Sequence, residues 1–191
     1  MSPENEKKIN EKFGYIIRSD KSPQHGLHMF GFECGDGWFD LLWTLLTEIE
    51  KSLAAEPKEV VDNFSVVQVK EKYGTLRFYC NGTTDAIDSL ISAAEDVSEK
   101  TCEACGQPGE IRPGGWISVQ CWDHYVSILV NNIISYCVDK EVSEEEKFSK
   151  FSGNSMGMFA AYKDQEEMKK YLTKQLSFHF GPKKGDRECL K

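Results

Sequence analysis

Apolar residues recur at helical spacing in two stretches of the chain and predict two amphipathic helices. The first helix follows a tight Cys-Gly-Asp-Gly-Trp turn, Cys34–Trp38, in which Asp36 is the predicted N-cap, and it ends before Pro57. The second helix is predicted to be capped by Thr84. The apolar stripe of the first comprises Trp38, Leu41, Leu42, Leu45, Leu46, Ile49 and Leu53, and that of the second comprises Ile87, Leu90, Ile91, Ala94 and Val97. A short polar helix, Glu4 to Phe13, is predicted ahead of both.

Between the two helices, apolar and polar residues alternate, which predicts a β-hairpin. The outgoing strand is predicted over Phe64–Lys72 and the return strand over Leu76–Cys80. The turn between them contains Gly74, which we expect at positive φ because glycine adopts that conformation without steric cost. The pattern therefore predicts an α+β fold, in which a small antiparallel sheet is packed with helices.

Four residues after the second helix have the spacing of metal ligands. Cys102 and Cys105 form a CxxC knuckle, and Cys121 and His124 form a second pair at the expected start of a third helix, which is predicted to reach about Val138. A knuckle, a short hairpin and a ligand pair at a helix start have the layout of a treble-clef-like zinc finger, here residues 101–125. Three cysteines and one histidine form a closed tetrahedral set, so we predict one structural Zn²⁺ and no catalytic residue.

Three other interpretations of this segment are less favoured. A catalytic zinc would need a free coordination position and a nearby acid or base, and we expect the neighbouring Glu103 and Asp123 to be solvated. A redox CxxC would lie in a βαβ pattern, which does not surround it. Treble-clef nucleases carry a histidine on the hairpin strand, and Trp116–Gln120 contains none. A metal-dependent nuclease or hydrolase is therefore the least favoured function.

The predicted hairpin carries a second candidate site on its polar positions. Gln68, Lys70 and Lys72 share one face of the outgoing strand, while Arg77 and Tyr79 share one face of the return strand. If the register places all five on the same face, a cationic patch with an aromatic floor results, which suits a phosphate or carboxylate ligand. The alternative is a solvated sheet face whose cations pair with acidic residues.

Composition limits the classes of partner. The chain has 191 residues, a formal net charge of -8 and a pI of about 5.1, which argues against bulk duplex nucleic acid as the partner. No stretch approaches the roughly 20 apolar residues that a membrane-spanning helix needs, and the first ten residues lack the apolar segment of a secretory signal. We therefore expect a cytoplasmic protein with no membrane partner, and a homo-oligomer stays open.

The remaining predictions concern the cysteines and the domain organisation. Seven cysteines in a reducing compartment are expected to be thiols or metal ligands, and the four outside the finger lack paired spacing: Cys34, Cys80, Cys137 and Cys189. We predict an N-terminal segment (1–30), a core α+β domain that includes the finger (31–138), and a C-terminal helical extension and tail (139–191).

Several motifs in a fixed order carry a resemblance to a known family. They are Cys34-Gly-Asp-Gly-Trp38, the stretch VQVKEKYGTLRFY (Val67–Tyr79), the knuckle Thr101–Gly106, Gly115-Trp116 and the Cys121–His124 pair. Together they resemble a family of small proteins of bacteriophages, prophages and bacterial genomes to which no firm activity is assigned. The resemblance covers about Gly31 to Tyr125.

The resemblance implies a phage or prophage origin, and accessory phage proteins of this size often bind a host protein or sequester a signalling nucleotide. We therefore expect a non-catalytic zinc-containing binding protein that acts in the host cytoplasm on a host protein, such as a defence-system component. The alternative function is binding of a nucleotide or another small anion through the Lys70, Lys72 and Arg77 face.

Overall fold

The computed structural model describes residues 1–17, 27–112 and 117–128, together with Asn131, Lys170 and Lys174. The chain divides into two compact units, Met1–Cys121 and Trp122–Lys191. The helices of the first unit are α1 (Pro3–Ile17), α2 (Leu27–Phe30), α3 (Phe39–Ala54), α4 (Lys58–Asn63) and α5 (Asp85–Ser98). Its strands are β1 (Phe32–Glu33), β2 (Ser65–Lys72), β3 (Thr75–Asn81), β4 (Glu110–Arg112) and β5 (Ser118–Gln120).

The described part of the second unit is helical at residues 122–128 and at Asn131, Lys170 and Lys174. The start of the predicted third helix is therefore confirmed, whereas its predicted end at Val138 lies outside the described residues. Apart from Lys170 and Lys174, the predicted C-terminal extension, 139–191, also lies outside them. The predicted domain boundaries stay a prediction.

Helix α1 is longer and more deeply buried than the short polar helix predicted over Glu4–Phe13. It spans Pro3–Ile17 and buries Ile9, Phe13, Ile16 and Ile17. Those positions are related by steps of four, three and one residues, which place them on one face of a helix. Helix α1 therefore belongs to the hydrophobic core.

The last three residues of the Cys34–Trp38 motif form a 3-10 turn, Asp36–Trp38, directly before α3, and this changes the role of Asp36. The N-cap of α3 is Trp38, so the prediction that Asp36 caps this helix is wrong. Instead, the Asp36 carboxylate accepts the backbone N–H of Ser2 at 2.7 Å and the side-chain amide of Asn5 at 3.1 Å. Asp36 therefore connects this turn to the start of α1.

The main sheet has the strand order β1-β2-β3. The predicted antiparallel pairing of β2 with β3 is confirmed, but β1 pairs with β2 in parallel, with Phe32 beside Val69. The prediction of a purely antiparallel sheet is therefore incomplete. Strand β1 has only two residues, and so short a segment carries no sequence pattern that indicates parallel or antiparallel pairing. The turn between β2 and β3 has two residues at positive φ, Tyr73 (56°) and Gly74 (83°), which is the geometry that matches the twist of a hairpin.

The core lies between the helices and one face of this sheet. Helix α1 packs on α3 and β2, α3 packs on α5, and α5 packs on β3. Trp38, Leu42, Leu46 and Ile49 of the predicted α3 stripe are fully buried, as predicted. The sheet contributes Val66, Val69, Leu76 and Phe78 to the same core.

Helix α5 also covers the outer edge of β3. The Ser98 hydroxyl accepts the N–H of Leu76 at 2.9 Å, and the Glu95 carboxylate accepts the N–H of Phe78 at 3.3 Å. Ser98 is consequently buried, whereas Val97, which was predicted in the buried stripe, is 51% exposed. A polar residue occupies the buried position because it satisfies a backbone donor at the edge of the sheet.

The helices and the two small sheets confirm the predicted α+β class for the described part of the chain. Within those same residues, no helix has both the length and the apolar character needed to cross a lipid bilayer.

Candidate metal centre

The candidate metal centre begins with the knuckle that follows α5. The N–H groups of Cys105 and Gly106 both donate to the carbonyl of Cys102, at 3.3 and 2.8 Å, which closes the tight turn beneath the two thiols. Gly106 has a φ of 77°, which a residue with a side chain rarely adopts. The Glu103 N–H donates to Val119 of β5 at 3.1 Å and so fixes the knuckle to the finger hairpin.

The finger hairpin brings the second ligand pair to the first. Strands β4 and β5 pair in antiparallel fashion, with Ile111 opposite Val119, and Cys121 directly follows β5. His124 comes three residues later, within the helical residues 122–128. Both pairs of predicted ligands are therefore positioned by short local elements, as the treble-clef layout requires.

The four predicted ligands come together. Single donor atoms of Cys102, Cys105, Cys121 and His124 all lie within 4.8 Å of one another. The sulfur atoms of Cys105 and Cys121 are 3.8 Å apart. Two sulfurs that each lie about 2.3 Å from a tetrahedral ion should be about 3.8 Å apart, so this spacing fits a zinc-sized ion. The residues present could therefore hold a metal, and their thiol and imidazole donors are those that zinc prefers.

The knuckle also contacts the turn that precedes α3, which the sequence interpretation missed. The backbone N–H of Gly37 donates to the Glu103 carbonyl, and the N–H of Gly35 donates to the Glu103 carboxylate, both at 2.8 Å. Glu103 was expected to be solvated, and that expectation is wrong. Its carboxylate is half-buried, and burial raises the pKa of the Glu103 carboxyl above its ordinary value despite the opposing effect of the Gly35 N–H.

The second candidate site is the polar sheet face, defined as Gln68, Lys70, Lys72, Arg77 and Tyr79. The register places Lys70 opposite Arg77 and Gln68 opposite Tyr79. Directly opposed residues of antiparallel strands point to the same face, and residues two apart on one strand share it. The five predicted side chains therefore occupy one face, and the Lys70 ammonium lies 5.6 Å from the centre of the Tyr79 ring.

Acidic side chains flank this face and reduce its positive charge. Glu33 of β1 accepts a hydrogen bond from the Gln68 amide at 2.8 Å. Glu95 of α5 forms an ion pair with Arg77 at 3.6 Å. The Lys70 ammonium lies 5.6 Å from the centre of the Tyr79 ring, and the Lys72 ammonium lies 5.5 Å from that of Tyr73 in the turn. Tyr79 is 43% exposed. The polar sheet face is therefore a surface of mixed charge, in which two lysines each lie near a tyrosine ring.

Two cysteines outside the cluster are described, and neither is a reactive thiol by environment. Cys34 is buried in the core, and Cys80 is half-buried. Burial raises the pKa of Cys34 and the pKa of Cys80 each to about 12, so both thiols are protonated at neutral pH. This agrees with their interpretation as small buried side chains. Cys137 and Cys189 lie outside the described residues.

The fold and the cluster define an α+β protein with a Cys3His group that could bind a metal ion such as zinc. No protein-family model, curated protein or solved structure matches the chain. Its function is therefore argued from its own residues.

The contact of Gly35 and Gly37 with Glu103 was not predicted, although one feature of the sequence points to it. Two glycines that flank a single residue beside a buried tryptophan indicate a close backbone approach. The sequence contains no indication of which segment makes that approach.

Proposed function

We propose that the protein is a non-catalytic zinc-containing binding protein of phage or prophage origin. In this proposal it acts in the host cytoplasm on a host protein, such as a component of a defence system. The observation that carries the non-catalytic role is the donor set, Cys102, Cys105, Cys121 and His124. Four protein ligands complete the tetrahedral shell of structural zinc, whereas catalytic zinc keeps a position for water or substrate. The phage origin and the host partner are supported by the motif resemblance over Gly31–Tyr125.

Metal content tests the first part of this proposal. We expect the purified protein to contain one zinc ion per chain by elemental mass spectrometry, and Cys121→Ala to contain much less. A matched control is Cys80→Ala, which removes a half-buried thiol outside the cluster. A wild-type protein that binds no zinc after refolding with excess metal would contradict the proposal.

Phage growth tests the second part. The protein would be expressed in bacterial strains that each carry one defined defence system, and the plating efficiency of a sensitive phage would be compared with and without expression. We expect wild-type protein to raise plating efficiency on at least one strain and to co-purify with a component of that system. Plating efficiency that stays unchanged on every strain, with no co-purifying host protein, argues against a host-protein partner.

A second candidate function is binding of a nucleotide or another small anion on the polar sheet face. The observation that favours it is the register, which sets Lys70 opposite Arg77 and beside the ring of Tyr79. An ammonium and a guanidinium can hold a phosphate, and an exposed tyrosine ring can stack on a base. The ion pair between Arg77 and Glu95 opposes this function, because an anionic ligand would have to compete with the carboxylate.

Thermal shift measurements against cyclic and linear nucleotides test this second function. We expect a stabilising shift at millimolar ligand that is lost in the double variant Lys70→Ala, Arg77→Ala. The charge-matched control is Lys7→Ala, Lys58→Ala, which removes two lysines whose side chains are 75% and 90% exposed on other elements. The absence of any shift, or an equal loss in both double variants, removes nucleotide binding from consideration.

A further inference from the structure

The turn that precedes α3 and the metal knuckle share a backbone interface. Glu103, which lies between the ligands Cys102 and Cys105 in sequence, accepts two hydrogen bonds from this turn. Its main-chain carbonyl accepts the N–H of Gly37, and its carboxylate accepts the N–H of Gly35. The residue at the centre of the knuckle is therefore held through both its backbone and its side chain.

This interface is too close for side chains on the turn. A Cβ atom at Gly37 would lie 2.3 Å from the Cys102 carbonyl oxygen and 2.4 Å from the Cys105 nitrogen. A Cβ atom at Gly35 would lie 2.3 Å from the Glu103 carbonyl oxygen. Each clash involves backbone atoms, so no side-chain rotation relieves it. Both positions require glycine because the knuckle occupies the space that a side chain would take.

Trp38 forms a hydrogen bond on the other side of Cys102. Its side chain is fully buried in the core, and its indole N–H donates to the carbonyl of Thr101 at 3.0 Å. Thr101 immediately precedes Cys102 in the chain. Hydrogen bonds from the turn therefore fix the backbone on both sides of Cys102, at residues 101 and 103.

We infer that the segment Gly35–Trp38, which we term the glycine turn, positions the Cys102 and Cys105 thiols for metal binding. This inference rests on the proposed zinc site. The glycine turn contributes no ligand atom itself. It fixes the direction of two ligands before the ion arrives, and so reduces the conformational freedom that they lose on coordination. Groups that orient metal ligands in this way typically change metal affinity about 10–100-fold when they are altered.

The test compares metal binding in two glycine variants with similar backbone clashes. Gly37→Ala introduces a Cβ into the knuckle, whereas Gly82→Ala introduces one 2.5 Å from the carbonyl oxygen of Asn63, in a different turn. Zinc affinity would be measured by competition with a chromophoric chelator. Coordination geometry would be read from the absorption bands of the Co²⁺-substituted protein, which report on the ligand field and not on overall stability.

We expect Gly37→Ala to weaken zinc binding by about 10–100-fold and to shift the Co²⁺ bands, while Gly82→Ala leaves both unchanged. Trp38→Phe is the milder variant, because it keeps a buried ring and removes only the donor to Thr101. It should weaken binding in the same direction by a smaller factor, and it provides the test if Gly37→Ala does not fold.

Two results would overturn the inference. One is wild-type affinity and an unchanged Co²⁺ spectrum in both Gly37→Ala and Trp38→Phe. The other is an equal loss of affinity in Gly82→Ala, which would show that metal binding follows overall stability. Failure of the proposed zinc site would look different, because the wild-type protein itself would then bind neither Zn²⁺ nor Co²⁺ at one equivalent.

Discussion

Removal of the metal should open the knuckle and leave the hydrophobic core folded. The perturbation is a strong zinc chelator added to zinc-loaded protein at neutral pH. The core is formed by residues of α1, α3, α5 and the β1-β2-β3 sheet, together with Leu27, Cys34, Trp38 and Phe64. None of the four candidate ligands belongs to it. We therefore expect two separable responses, a local loss of order around Cys102–Gly106 and a persistent cooperative unfolding transition of the core.

The backbone of the knuckle sets the magnitude of the local response. It has five hydrogen bonds: four are donated by its own N–H groups, those of Cys102, Glu103, Cys105 and Gly106, and the fifth is accepted by the Glu103 carbonyl from Gly37. At a net contribution of about 1 kcal/mol each, they stabilise the knuckle by about 5 kcal/mol. Bound zinc at about 1,000 times its dissociation constant adds about 4.1 kcal/mol. The metal is therefore expected to account for about half of the local stability.

Amide hydrogen exchange followed by NMR is the appropriate assay. On chelation, we expect exchange at Glu103 and Gly106 to accelerate by about 10³-fold, which corresponds to about 4.1 kcal/mol. Amides within the central sheet, such as those of Val69 and Phe78, should keep their protection. A simultaneous loss of protection in the knuckle and the sheet would refute this reasoning, because it would make the metal a requirement of the whole fold. Unchanged exchange at the knuckle after complete metal removal would refute it equally.

Three further predictions concern single side chains. Ser98→Ala should destabilise the protein by about 1–3 kcal/mol in urea denaturation, because it leaves the buried N–H of Leu76 without its acceptor, whereas the exposed Ser92→Ala should have little effect. Cys34 should resist iodoacetamide at pH 8 in the folded protein and react after denaturation, since burial raises its pKa to about 12; peptide mass spectrometry would detect premature labelling. The pKa of Asp36 is lowered, mainly by a backbone N–H that donates to it, so its charged form stabilises the fold above the pKa of an unfolded aspartate, about 3.9. That contribution is lost as the pH falls through the lower folded-state pKa, and the stability difference between wild type and Asp36→Asn should shrink over this range; a difference that is independent of pH would contradict the assignment.

The elements that could be predicted from the sequence are those whose signal is local. The stripe of α3 and the alternation of β2 and β3 each depend on neighbours within a few residues, and both predictions are confirmed. Helix α1 was predicted too short because Gly14 interrupts its pattern, although Ile16 and Ile17 continue the buried face beyond it. Glycine lowers helix propensity by about 1 kcal/mol, which burial of two isoleucines readily exceeds.

In the candidate site, too, local features could be predicted from the sequence and features set by tertiary packing could not. The spacing within each ligand pair is local, and the short β4–β5 hairpin between the pairs brings the four ligands together. The contact between Gly37 and the knuckle depends on tertiary packing, and no periodicity or spacing in the chain specifies it. The residues of the polar sheet face were predicted, but the register of β2 and β3 depends on the positive φ angles of both Tyr73 and Gly74. Only the positive φ of Gly74 was predicted.

The close approach of Gly37 to the knuckle has a consequence for how this chain can change during evolution. A metal finger can be transferred between proteins as an independent module only if its own residues complete its fold. Here a segment that contains Cys102 and Cys105, if transferred to another protein, would leave behind the turn that supports its backbone. Conversely, a chain that lost the finger would retain two glycines and a tryptophan N–H without their partners. We therefore expect the transfer or loss of either segment alone to remove backbone contacts from the other, although residues 39–100 separate them in the sequence.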